Sequence, residues 1–398
     1  MAVLLGNEGG GLYGGVILEI PITASQTWVP PRDGTVNIIA IGAGGSGALY
    51  TPANGGIALG GGAGGYCAKE NLSVTTNGSY SISIGAGGVG VYSNGSVPGN
   101  AGGNTTVSGT GLSATITANG GAGGTGTATY LANSNYGYGA AGGTASGGDV
   151  NRVGGKGGGF APGYVTSNTG TRCATGGGAV AILTDVGYQG GSFIKTGSNT
   201  SQLKWATGGA GIGGRGGGAW NIDGSFGTYG AMNGGSASGP GEDWTVVAER
   251  TVAPSGLSAW GMQQTSWKYQ DLSLIGATRA IGGYSGINYA AGAGGGAKMP
   301  TFNAAQGLFP VGMPPSTLGA GGGGCYYTST TSSIFAGFGG AFAGGGAMVS
   351  YGTYNNSIQG GTGGIGGGGG GKCSQQNYSS QQQWGGQGVV FIHYTAFA

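Results

Sequence analysis

The sequence is poor in charge. Of 398 residues only 6 % are Asp, Glu, Lys or Arg, the net charge is +2, and His393 is the single histidine. A nucleic-acid partner calls for a basic field, and none exists here. Twelve prolines are too few for collagen, whose strict Gly-X-Y frame is also broken. No stretch approaches the ~20 apolar residues of a membrane-spanning helix, so membrane insertion is not expected. The start, MAVLLGNEGGG, has a four-residue apolar run and no basic residues, so no signal peptide is read there. Cys67, Cys173, Cys325 and Cys373 are too widely separated for a zinc motif or a redox pair. Buried thiols and long-range disulfides both fit that spacing. With one histidine, a catalytic triad or metal site is hard to assemble, and His393 reads as a structural residue of a terminal strand. The eleven acids are scattered, with only Glu242 and Asp243 adjacent; a carboxylate pair brought together across loops is the one catalytic arrangement left open. The chain is therefore read as no enzyme, with no catalytic, cofactor or metal site.

What the sequence has is glycine: 106 residues, about 27 %. Glycine and proline together exceed a quarter of the chain, a composition associated with disorder. Against that stand 20 tyrosines, 10 phenylalanines and 7 tryptophans, since disordered chains are poor in aromatics. An ordered glycine-rich chain is the expectation. It contains essentially no α-helix, because nearly every window holds several glycines at about 1 kcal/mol each against helix.

The glycine runs follow a frame. In 42–47 the side chains fall at Ala43 and Ser46, in 85–90 at Ala86 and Val89, in 120–126 at Ala122 and Thr125. In 154–159 Lys156 stands alone; in 208–218 the positions are Ile212 and Arg215, and in 360–371 Thr362 and Ile365. A period of three with two bare ridges fits a polyproline-II-type helix, not a strand or an α-helix. Such helices persist only if N–H and C=O groups bond laterally to neighbours, and that close approach leaves no room for Cβ atoms.

Between the runs lie strand-like segments: Val36–Ile41, Leu72–Thr75, Tyr80–Ile84, Thr105–Val107, Leu112–Thr117 and, at the far end, Gly388–Tyr394. Asn77-Gly78 is a hairpin signal. The apolar last strand needs a sheet, and the N-terminal region offers one, so the two ends should meet. The expected fold is all-β: an antiparallel β-sandwich closed by the N- and C-terminal segments, with a large inserted bundle of polyglycine-II helices. Its parts are a docking lead (1–24), a glycine-rich sandwich (25–124 plus 386–398) and a bundle with variable loops (125–385); Trp28 and Trp384, which flank the sandwich strands, read as core.

Two motifs mimic enzyme chemistry. Val36–Ile41 followed by GAGGSG matches the dinucleotide fingerprint, but ALYTPANGG follows where that site needs a helix. Gly366 to Cys373 approaches a P-loop, with cysteine in place of the required Ser or Thr and no preceding strand.

Residues 25–47 (SQTWVPPRDGTVNIIAIGAGGSG), 60–90 (GGGAGGYCAKENLSVTTNGSYSISIGAGGVG), 102–124 (GGNTTVSGTGLSATITANGGAGG) and the closing GGQGVVFIHY resemble, in order, the glycine-rich domain of bacteriophage tail-fibre proteins. The middle of the chain is similar in style to the polyglycine-helix sandwich of the adhesins at the tips of T-even-type long tail fibres. The resemblance implies a virion protein, docked on other tail or fibre proteins, that binds a bacterial surface receptor (an outer-membrane protein or polysaccharide) through loops on a rigid scaffold. It implies a virion location, and extracellular exposure after release.

No loop residue can be matched one by one to that family, so recognition residues are chosen on chemistry. Aromatics are large anchors of low entropy cost, and they cluster between glycine runs: Tyr130, Tyr136, Tyr138, Trp205, Trp220, Tyr229, Tyr326, Tyr327 and Tyr354. A glycine-poor stretch, 242–290, adds Trp244, Trp260, Trp267 and Tyr269. The same aromatics would equally serve to cap the ends of a glycine bundle. Two other functions remain open: a decoration or tail-assembly subunit with no receptor, and ice binding, which needs flat Thr-like ridges that Ile212, Arg215, Lys156 and Val89 do not supply.

Overall fold

The computed structural model of the chain describes residues 3–5, 17–51, 56–92, 95–127, 139–161, 172–182, 185–196, 204–211, 216, 219–222, 229–231, 321–322, 325–327, 334–335, 338–350, 358–374 and 383–396. Among them every regular element is a β-strand, and no helix is long and apolar enough to cross a membrane.

Alternating burial builds the first sheet. Gly34–Ile41 points Val36, Ile38 and Ala40 inward while Thr35, Asn37 and Ile39 are half-buried, the period of two expected of a strand with one core face. The last strand, Val389–Ala396, pairs antiparallel with Gly34–Ile41 on one side and Ile17–Ile22 on the other. The two ends of the chain therefore meet in the middle of a six-stranded antiparallel sheet, completed by Val3–Leu5, Tyr66–Val74 and Val150–Arg152. Residues 17–22, placed with the docking lead on sequence grounds, are an integral strand of it.

A second antiparallel sheet runs in the order Ala145–Ser146, Ile116–Ala118, Thr105–Gly109, Tyr80–Ser83, Gln26–Trp28. Both sheets feed one apolar cluster: Val36, Ile38, Leu72, Val390, Ile392 and Tyr394 from the first meet Trp28, Tyr80, Ile82, Val107 and Ile116 from the second. Trp28 packs on Tyr80 and edge-on to Tyr394, and the Tyr394 hydroxyl donates to the Arg32 carbonyl at 2.8 Å. Asn77-Gly78 does turn the chain, with Gly78 N–H bonded to the Thr75 carbonyl, but its flanking strands belong to different sheets. It is a corner rather than a hairpin, because Leu72 and Tyr80 both point into the shared core.

From the sheets the chain passes repeatedly into glycine segments that are neither helix nor strand. Their hydrogen bonds repeat every three residues. In segment 42–48 the N–H groups of Gly42, Gly45 and Ala48 donate to Gly65, Gly62 and Leu59; those of Ala43 and Ser46 to Gly103 and Asn100; those of Gly44 and Gly47 to Gly386 and Gln383, all at 2.8–3.1 Å. Carbonyls of the same segment accept from Gly88, Gly121, Gly124 and Gly369. Segment 42–48 is thus bonded to six others, 59–65, 99–103, 383–388, 119–124, 85–90 and 366–371, and each of these bonds the next around the ring. Segments 59–65, 366–371 and 175–180 are ringed in the same way, so four segments form the interior of a hexagonal stack.

Glycine is required here for closeness, not for conformational freedom: only Gly95, Gly111, Gly147 and Gly366 among the described glycines have positive φ. A Cβ on Gly44, Gly45 or Gly47 would be driven into the carbonyl of Gly367, Ala122 or Gly370. The side-chain ridge of this run, Ala43 and Ser46, is fully buried, so even that ridge admits only small residues. Run 360–371, read as one frame, is two segments joined by a turn at Ile365-Gly366, where Gly366 adopts φ 69°. In the second of them, Gly367 to Gly371, a Cβ at each position would strike the backbone of a neighbouring segment. An interior segment has no free ridge at all.

Candidate functional site

The stack has two ends. At one, the segments continue into the large sheets. At the other they continue into strands of two or three residues: 42–48 into Leu49–Tyr50, 366–371 into Lys372–Ser374, 343–347 into Met348–Ser350, while Gly56–Ala58, Arg172–Ala174 and Lys204–Ala206 lead back into the stack. These strands pair mainly in parallel, Cys325–Tyr327 with Met348–Ser350, then Lys372–Ser374, then Leu49–Tyr50, and Gly56–Ala58 with Arg172–Ala174, then Lys204–Ala206. Parallel pairing follows because these neighbours leave the stack in the same direction.

Small side chains let the strands pack. Ala48, Tyr50, Ala58, Ala174, Ala206, Ala347, Val349 and Cys373 form one buried cluster. Cys67, Cys173 and Cys373 are buried and lie outside any disulfide, the first of the two readings open for the cysteines; Cys67 lies in the sheet core, where burial pushes its thiol pKa up. Two threonines complete the hydrogen bonding where segments begin. Thr175 Oγ1 accepts from the Gly60 N–H and donates to the Gly158 carbonyl. Thr207 Oγ1 accepts from the Gly176 N–H and donates to the Gly191 carbonyl. Lys372 is 2 % exposed in this end layer, and loss of water around its amine lowers its pKa to about 8.

Five aromatics singled out on sequence grounds fall on short strands. Trp205 is level with Cys173 and Trp220 with Ile194; Tyr229 is level with Asn221, Tyr326 with Val349 and Tyr327 with Ser350. Tyr130, Tyr136, Tyr138, Trp244, Trp260, Trp267, Tyr269 and Tyr354 lie outside the described residues, as do Ile212 and Arg215. Connectivity still locates where the chain departs: the stretches 51–55, 128–138, 162–171, 197–203, 351–357 and 375–382 all leave from, and return to, the far end.

Neither enzyme-like motif has its required context. The strand Gly34–Ile41 runs into segment 42–48 with no helix. Gly367 to Gly371 is enclosed by other backbones. His393 faces Glu19 across the first sheet, with Nε2 3.8 Å from the carboxylate.

Trp384 corrects an expectation. Placed in the core on sequence grounds, it is 36 % exposed, because residue 384 lies on the outer ridge of segment 383–388. It borders a groove of about 750 Å3 on the flank of the stack, lined also by Val89, Phe338, Thr362 and Ile365. Sequence reasoning missed this groove, although three of the ridges that line it obey the period-three frame.

A family model described as a glycine-rich domain matches residues 22–248. No curated protein matches the chain.

Proposed function

The chain belongs to the glycine-rich domain family, its match covering more than half of the sequence, and from that premise we propose that it is a bacteriophage adhesin. In this reading it sits at a tail-fibre tip or tail end and binds a bacterial surface receptor, protein or polysaccharide, without catalysis. The glycine segments are polyglycine-II helices, the two antiparallel sheets are the layers of a β-sandwich that docks on other virion proteins, and the stack of glycine segments is the scaffold.

One observation carries the proposal: the connecting stretches depart from the same end of a laterally bonded stack. A scaffold whose backbone groups are bonded on all sides holds its ends in fixed positions, so loops issuing from one end make a preorganised recognition surface. Negative φ throughout the described runs, apart from Gly366, and bonding partners that change every third residue both favour the left-handed polyglycine helix. The aromatic content of the stretches, from Tyr130 to Tyr354, suits contact with sugars or protein loops.

The test is adsorption. Purified protein should compete with phage for host cells, and antibody against it should label fibre tips or the tail end. Deleting 242–290 should weaken the competition if that insertion belongs to the surface. Antibody spread along the tail or capsid, with no competition, would support a structural virion subunit in its place.

A further inference from the structure

The flank groove is lined by the side-chain ridges of three segments, 383–388 being bonded to 85–90 on one side and to 360–365 on the other. Segment 85–90 presents Ala86 and Val89, segment 383–388 presents Trp384 and Gln387, and segment 360–365 presents Thr362 and Ile365. Each pair is three residues apart. Elsewhere on the stack the outward ridges carry Thr125, Lys156 and Gln189; here they carry an indole, a valine and an isoleucine, with Phe338 beside them. Val89 is 50 % exposed. Trp384 is braced, its Cδ1 and Nε1 edge lying over Gly90, where a Cβ would come within 3.0 Å.

The floor is polar and repeats with the same period. Along segment 383–388 the N–H groups of Gly385 and Gly388 donate to Gly88 and Gly85, and that of Gly386 to Gly367. The N–H groups of Trp384 and Gln387 bond to nothing among the described residues, nor do those of Ala86 and Val89 on the wall. Their place in the three-residue repeat aims them at the open side. Three residues at 3.1 Å each separate the floor donors by about 9 Å, one turn of a polyproline-II helix.

We infer that this groove, along the open side of segment 383–388, binds an uncharged, proline-rich segment of a partner polypeptide in the polyproline-II conformation. Charge complementarity selects the occupant: no described lining residue is ionisable, so a charged chain would find no counter-charge, and donors one turn apart match carbonyls repeating every third residue. Proline supplies such carbonyls without N–H groups of its own, and apolar rings that pack between Trp384, Val89 and Ile365. Aromatic-lined grooves that take preformed polyproline-II segments are a recurrent recognition mode. This inference stands independently of the adhesin reading, since it rests on the flank and not on the far end.

The test uses the full chain and a fluorescein-labelled nonaproline amide, followed by fluorescence anisotropy. Saturable binding is expected, and Trp384→Ala and Val89→Glu should each weaken it at least tenfold. Thr125→Glu, on another flank, should leave it unchanged. If Trp384→Ala lowers the melting temperature, Val89→Glu, on an open ridge, decides. Absence of saturable binding by the unaltered protein overturns the inference, as does unchanged affinity in Val89→Glu. So does displacement of the roles, in which a neutral oligosaccharide such as maltohexaose binds in a Val89-dependent way and the peptide does not.

Discussion

Gly45 has no room for a methyl group: a Cβ there meets the Ala122 carbonyl, backbone that cannot swing aside. Gly45→Ala should lower unfolding free energy by about 1–3 kcal/mol, the usual cost of overpacking, whereas Thr125→Ala on an exposed ridge should change it by less than about 0.5 kcal/mol. Urea titration of both variants makes the comparison. Thr175 tests the opposite fault, a missing hydroxyl. Thr175→Val keeps the shape but strands the Gly60 N–H and the Gly158 carbonyl, at about 1–3 kcal/mol for each orphaned group; Thr175→Ser should recover most of the loss.

Lys372 gives a pH signature. Burial lowers its folded pKa from 10.5 to about 8, so between about pH 8 and 10.5 the unfolded chain holds a proton that the folded chain has released. Stability from this residue therefore rises with pH through that window. Cys67 and Tyr80, whose pKa values burial raises, act in the opposite direction, so the contribution is read as a difference. Urea midpoints of the unaltered chain and of Lys372→Met, compared at pH 7.5 and 10, should converge as pH rises.

At the scale of elements, the strand Val389–Ala396 is the sheet's central member, bonded on both sides. Ending the chain at Gly388 should abolish cooperative thermal unfolding, while removing the edge strand Val3–Leu5 should preserve it; calorimetry distinguishes the two. The closing strand was legible in the sequence because GVVFIHY is too apolar to stand alone. The period-three frame was legible because Ala43 and Ser46, or Ala86 and Val89, mark it. Where side chains cease, so does the information: nothing in GGTGGIGGGGGG marks the turn at Gly366 or the enclosure of the five glycines after it. The corner at Asn77-Gly78 was invisible for another reason, since a local turn signal does not say whether two strands bond each other or separate layers. Trp384 misled because an indole flanking a sheet strand reads as core, while its position in the frame, three before Gln387, places it outside. Of the recognition aromatics, sequence chemistry could choose the residue types, but only the five on short strands acquire positions.

For the whole molecule, protection should follow the rings. In hydrogen–deuterium exchange the N–H groups of 42–48, 59–65 and 366–371 should exchange only through global opening, whereas Ala86 and Val89 on the flank should exchange freely. Mass-spectrometric exchange with peptides covering 42–48 and 85–90 checks the order. The interior also imposes a schedule. Two of its four segments are made within the first 65 residues, a third at 175–180 and the last only near the end, at 366–371. Synthesis at about 5–20 residues per second leaves the early segments without their inner neighbour for tens of seconds, and contacts of such long sequence separation close slowly. The nascent chain must wait with its amides open to water, and glycine, which offers no apolar side chain for stray partners to grip, is the residue that can wait.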